Sequence, residues 1–158
     1  FERLVREAEK NLAGGRYRRA RQQLSEALLL WRGRPFGELA DEGLLRSEAE
    51  RLDQRRIEVL EQRIDVDLDL GAGTEVVEEL ELLVREHPYR ERLWRGLMLA
   101  LYRAERQADA LATYRRAHEI LGGVGLEPSQ ALRSLEQQIL RHEVPGVARM
   151  QQRHSLPC

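Results

Sequence analysis

Leu60, Ile64, Leu68, Gly71, Val76, Leu80 and Leu83 are each followed, 34 residues later, by a counterpart: Trp94, Met98, Tyr102, Glu105, Ala110, Tyr114 and Ala117. The same template occurs once more upstream in Leu4, Ala8, Leu12, Gly15, Ala20, Leu24 and Ala27, at a distance of 56 residues, so 22 residues are inserted between the first two copies. Within each copy the apolar positions recur at i, i+4 and i+8 and then at i, i+4 and i+7. That is the stripe of an amphipathic helix, and no stretch shows sustained strand-type alternation.

A 34-residue period of two helices is the tetratricopeptide spacing, in which each pair is too small to bury its own apolar face and stacks on the next. The pattern predicts helices at about 2–13, 16–31, 44–70, 74–86, 89–104, 107–121 and 129–143, with an irregular piece at 32–37. Gly14-Gly15 and Gly71-Ala72-Gly73 stop helices, Thr74 is placed to cap the next, Pro88 marks a start, and Gly122-Gly123-Val124-Gly125 breaks the chain before the last helix. Small residues, Ala8, Ala20, Ala27, Ala110 and Ala117, fall where two helices approach closely. Leu132, Leu135, Ile139 and Leu140 supply an apolar stripe for a closing helix. The expected fold is all-α, a right-handed superhelix of antiparallel pairs with a capping C-terminal helix; residues 1–143 form one domain and 144–158 a flexible tail.

Twenty-six basic residues, all arginine except Lys10, nearly balance 27 acidic ones, leaving a formal charge of -1 and a pI near 6.5. Such a chain has no global positive field for gripping nucleic acid, so any action on DNA is expected through another domain. Cys158 is the only cysteine, which excludes an intrachain disulfide and fits a reducing cytoplasm. No 18-residue apolar run and no basic-then-apolar leader is present, and the expectation is a cytoplasmic protein without a membrane partner.

Motifs that carry catalysis are missing: His-Glu-x-x-His, a P-loop, paired Cys-x-x-Cys and Gly-x-Ser-x-Gly. Gly122-Gly123-Val124-Gly125 follows a helix and lacks the Lys-Ser/Thr sequel of a phosphate loop, so a helix-to-helix turn is the preferred reading. His87, His118, His142 and His154 are isolated from one another and do not pair at metal-ligand spacing. The expectation is no enzyme, no cofactor and no metal.

Three features bear on interactions. Trp31 and Trp94 are either partner anchors or core, and core packing is favoured by their positions at a turn and on the inner side of a helix. Arg16, Arg18, Arg19 and Arg21 form a basic cluster, more simply a solvated helix face than a DNA contact. Glu58, Glu61, Asp65 and Asp69 fall at i, i+3, i+7 and i+11, a spacing at which like charges repel, whereas the next copy carries Arg92, Arg95 and Arg103. An acidic stripe beside a basic one is a candidate docking groove for a charged partner helix; the competing reading is that the stripes pair or face water.

Leu30-Trp31-Arg32-Gly33-Arg34-Pro35, Leu97-Met98-Leu99-Ala100-Leu101-Tyr102-Arg103 and Arg106-Gln107-Ala108-Asp109-Ala110-Leu111 resemble the bacterial transcriptional activator domain of SARP-type antibiotic regulatory proteins. The resemblance extends through Leu68-Asp69-Leu70-Gly71, His87-Pro88, Tyr114-Arg115-Arg116-Ala117 and Gly125-Leu126-Glu127-Pro128. Glu105 departs from the small residue usual before Arg-Gln-Ala. The resemblance implies an activation domain controlling specialised-metabolite genes that works with a winged-helix DNA-binding domain to recruit RNA polymerase. It implies that DNA is contacted only indirectly, and it leaves a homodimer open; joined to the charge stripes, it gives the expectation that basic groups of the polymerase or its sigma subunit meet the acidic side. The rival readings are a tetratricopeptide-like scaffold or ligand-sensing module with another client, and a small hydrolase within a helical fold.

Overall fold

Gly14 and Gly15 turn the chain back on itself after twelve helical residues, and the same device recurs down the chain. The computed structural model describes residues 1–31, 33, 35, 37, 39 and 42–145, and among these every regular element is helical. The helices are α1 (Glu2–Ala13), α2 (Tyr17–Leu29), α3 (Gly43–Asp69), α4 (Thr74–Glu86), α5 (Glu91–Arg103), α6 (Gln107–Gly122) and α7 (Gln130–Leu140). The expected all-α fold of helix pairs is what forms. The predicted irregular piece and tail fall largely on 32, 34, 36 and 146–158, outside the described residues.

Helices α1, α3, α5 and α7 end in one Schellman geometry, with the residue after the C-cap in the left-handed region, and Gly125 (φ 78°) closes the same pair of bonds after α6. After α1, Arg16 N–H donates to Asn11 O (2.7 Å) and Gly15 N–H to Leu12 O (3.0 Å). After α3, Ala72 N–H reaches Asp67 O (2.9 Å) and Gly71 N–H reaches Leu68 O (3.0 Å); after α5, Arg106 N–H reaches Leu101 O (2.9 Å) and Glu105 N–H reaches Tyr102 O (3.0 Å). After α7, Glu143 N–H reaches Gln138 O (2.8 Å). The left-handed residues are Gly15 (φ 74°), Gly71 (φ 99°), Glu105 (φ 60°) and His142 (φ 53°). The first three are equivalent positions of the repeat, so the periodicity in sequence is a periodicity of turns.

Two starts differ from expectation. Thr74 does not cap α4: Gly73 is the N-cap, no N-cap side chain bonds the helix, and Glu75 Oε2 accepts the Gly73 N–H at 2.9 Å. Helix α5 begins at Glu91 rather than beside Pro88, whose carbonyl accepts Trp94 Nε1–H at 2.8 Å.

The chain divides into two compact units, Phe1–Val66 and a second that begins at Asp67. In the first, α1 and α2 pack as an antiparallel hairpin around Val5, Ala8, Ala20, Leu24 and Ala27, all fully buried. Arg55 of α3 bridges to Glu2 (3.7 Å) and Glu9 (3.3 Å) of α1. In the second, α5 packs against α4, α6 and α7, and α7 also against α6. Trp94, Leu97, Met98 and Leu101 give α5 the largest share of that core, and each such side chain contributes about 1.5–3 kcal/mol of burial. Leu132, Leu135 and Ile139 close it from α7, as expected of a capping helix, while Leu140 is 49% exposed because it lies one step past the buried stripe.

Candidate functional site

Helix α3 does not present its four acidic residues as one wet stripe. Glu58 and Asp69 are exposed, Asp65 is half-buried and Glu61 is 3% exposed. The reason is angular: at about 100° per residue, positions 58, 65 and 69 align within roughly 20°, while 61 is displaced by about 60°. That rotation carries Glu61 towards the side of Leu68, which is itself buried. Glu58 is paired with Arg55 at 3.4 Å, and Glu61, Asp65 and Asp69 each have a polar or electrostatic partner.

The three arginines expected on α5 also separate. Arg92 and Arg95 are exposed, whereas Arg103 is half-buried, with Nη1 donating to the carbonyls of Leu68 and, at 3.5 Å, Ala72. Burial pulls the Arg103 pKa down against the opposing charge of Asp69. Its guanidinium closes the C-terminal end of α3 and is not presented to a partner. The predicted groove therefore loses Glu61 and Arg103.

Trp94 is core: it is 1% exposed, and Arg116 lies over its ring at 5.3 Å while bonding Glu81 at 3.3 Å. Trp31 is only partly covered, edge-on to Phe1 (5.4 Å, 88°) with Arg56 at 5.6 Å from the ring, and its buried Nε1–H has no hydrogen-bond partner. Among the described residues, no group of three or more His, Cys, Asp or Glu side chains is arranged to hold a metal ion, and no helix is long and apolar enough to cross a membrane. His142 Nδ1 lies 3.3 Å from Tyr102 Oη, and His154 lies outside the described residues.

Sequence reasoning missed one polar assembly. Arg16 Nε–H donates to Asn11 Oδ1 (2.6 Å), Asn11 Nδ2–H to Gln23 Oε1 (2.6 Å), and Gln23 Nε2–H to Glu7 Oε2 (3.2 Å). The available signal was Asn11 and Gln23 lying directly beside apolar template positions, Leu12 and Leu24, where a buried amide requires a partner.

The whole helical repeat from the first hairpin to α7 coincides with a known family: a model of the bacterial transcriptional activator domain matches residues 1–140. The chain belongs to that family. The activator domain is 41% identical over 143 residues to regulatory protein AfsR of Streptomyces griseus, a match covering 87% of this chain and 14% of that protein. It is 35% identical over 150 residues to regulatory protein DnrI of Streptomyces peucetius, covering 94% of this chain and 55% of that protein. Among solved structures, Mycobacterium tuberculosis EmbR, in complex with a low affinity phosphopeptide, superposes with a TM-score of 0.87 at 33% identity, covering 92% of this chain and 39% of that one. These relatives are SARP-type transcriptional regulators, as the sequence motifs implied, and none is named as an enzyme. The activator domain thus spans well under two thirds of the length of these proteins.

Proposed function

We propose that this activator domain works beside a winged-helix DNA-binding domain of the same regulator and recruits RNA polymerase, through core or sigma subunit, to promoters of specialised-metabolite genes. The observation that carries the reading is the family match over residues 1–140, together with a near-neutral charge that leaves DNA binding to another domain. The contact surfaces we assign are the carboxylates of Glu58, Asp65 and Asp69 on α3 and, separately, the guanidinium groups of Arg92 and Arg95 on α5. Charged rims of this kind act mainly on encounter rate and on rejection of wrong partners. The domain has no catalytic role in this reading, needs no cofactor and works in the cytoplasm.

Promoter-driven transcription with purified polymerase and the full-length regulator tests it. Glu58→Lys with Asp69→Lys, and Arg92→Glu with Arg95→Glu, are each expected to lower activation while DNA binding and helicity are retained. Full activation by both pairs would remove the docking surfaces, and absence of any polymerase in pull-downs would favour a scaffold with another client.

A further inference from the structure

The amide pair Asn11 and Gln23 is buried, 7% and 9% exposed, and all four of its polar atoms are engaged in the chain that runs from Arg16 to Glu7. Glu7 in turn contacts Arg3 at 3.7 Å. A buried amide pair with satisfied hydrogen bonds is held in one geometry, and its Asn11 end anchors the exposed Arg16 side chain through Nε. The Nη groups of Arg16 pack over Gly14, where an added Cβ would lie 3.2 Å from Cζ, Nη1 and Nη2.

Beside this chain lies an open cavity of about 410 Å³ lined by Glu7, Lys10, Asn11, Arg16, Arg19 and Gln23. Lys10, Arg16 and Arg19 against Glu7 leave the lining two positive charges in excess. Helix α2 starts at the same place with no side-chain cap and no acidic residue in its first turn, so the positive end of its dipole is not neutralised locally. A phosphate monoester carries about -1.5 to -2 at neutral pH, which matches that excess. Arginine's planar fork suits its oxygens. The cavity exceeds what a bare phosphate fills and falls in the range of small-ligand pockets, about 300–1,000 Å³. Glu7, at the far end of the chain from Arg16, is a carboxylate with acceptor positions beyond its bond from Gln23, suited to hydroxyl donors.

We infer that the α1–α2 hairpin carries a binding site for a small phosphorylated, polyhydroxylated metabolite, its phosphate held by Lys10, Arg16 and Arg19. This site is independent of the polymerase contact and would give the activator domain a ligand input of its own.

Amide NMR titration of the chain with glucose 6-phosphate, inorganic phosphate and glucose tests the assignment. Expected are saturable shifts confined to residues near 7–23, tighter binding of glucose 6-phosphate than of phosphate, and none by glucose. Lys10→Gln with Arg19→Gln, both exposed, should weaken binding about tenfold or more through loss of two charge-assisted contacts. Arg6→Gln with Arg18→Gln removes equal charge from exposed residues that do not line the cavity and should leave binding within about twofold, since an exposed charge without direct contact is screened by solvent and salt. The inference is overturned if both pairs weaken binding equally, if the shifts map elsewhere, if glucose 6-phosphate binds no better than phosphate, or if neither saturates.

Discussion

Arg103, on the last turn of α5, donates to the backbone carbonyl of Leu68 on the last turn of α3, and Gly73 leaves the room for it: a Cβ there would sit 3.2 Å from Arg103 Cβ. A side chain that looks in sequence like one of several surface arginines is a C-terminal cap supplied by another helix. It gives the Leu68 carbonyl, which already accepts from Gly71 N–H, a second and charged donor, and reaches the Ala72 carbonyl just past the helix end.

Replacing Arg103 by Met keeps the aliphatic stem and removes the cap. The expected loss is about 1.5–3 kcal/mol, the range for a hydrogen bond from a charged group. Urea denaturation measures it; an unchanged midpoint would show that water replaces the guanidinium without cost.

Glu105 holds the left-handed position that Gly15 and Gly71 hold in the other copies. A non-glycine residue there costs about 1–2 kcal/mol. Glu105→Gly is expected to recover about 1 kcal/mol after the entropy cost of glycine in the unfolded chain. Gly71→Ala should lose a similar amount, and the two midpoints shifting in the same direction would refute the shared-turn account.

Ser129 caps α7, its Oγ accepting Leu132 N–H at 3.3 Å, while its own N–H donates to Glu91 Oε1 at 2.8 Å. Ser129→Ala is expected to cost about 0.5–2 kcal/mol. Hydrogen exchange should locate the loss in the first turn of α7.

Glu75 carries a pH signature. The Gly73 backbone N–H, and then its own, hold its carboxyl below the ordinary carboxylate pKa. A depressed folded-state pKa adds stability above the unfolded value and loses it as pH falls through the folded one. The gap in thermal midpoint between the parent chain and Glu75→Gln should therefore be present at neutral pH and close as the pH drops through and below the ordinary carboxylate range. A gap that persists in acid would mean that Glu75 acts through packing.

Ala27 and Ala117 are fully buried at equivalent steps of their repeats. Leucine at either is expected to cost about 1–3 kcal/mol by forcing the helices apart, which calorimetry would register.

Most of the fold was legible because its causes are local. Apolar residues at helical spacing set each helix, glycines mark the reversals after α1, α3 and α6, and the 34-residue repeat of the apolar pattern set the pairing, so the predicted ranges differ from the observed ones by a few residues. Less of the interaction surface was legible. Spacing alone placed Glu61 with Glu58, Asp65 and Asp69, but exposure depends on what other helices cover, and a rotation of about 60° suffices to bury one carboxylate of four.

What the chain of residues determined by itself was the helical class, the repeat and its family, all carried by interactions within a few residues or by side-chain volume. Only the tertiary structure decided that Arg103 caps α3 and that Asn11 and Gln23, buried, link Arg16 to Glu7 in one hydrogen-bonded chain. Those assignments follow from which polar groups end up adjacent after packing. A polar group removed from water must take whatever partner packing has placed within reach.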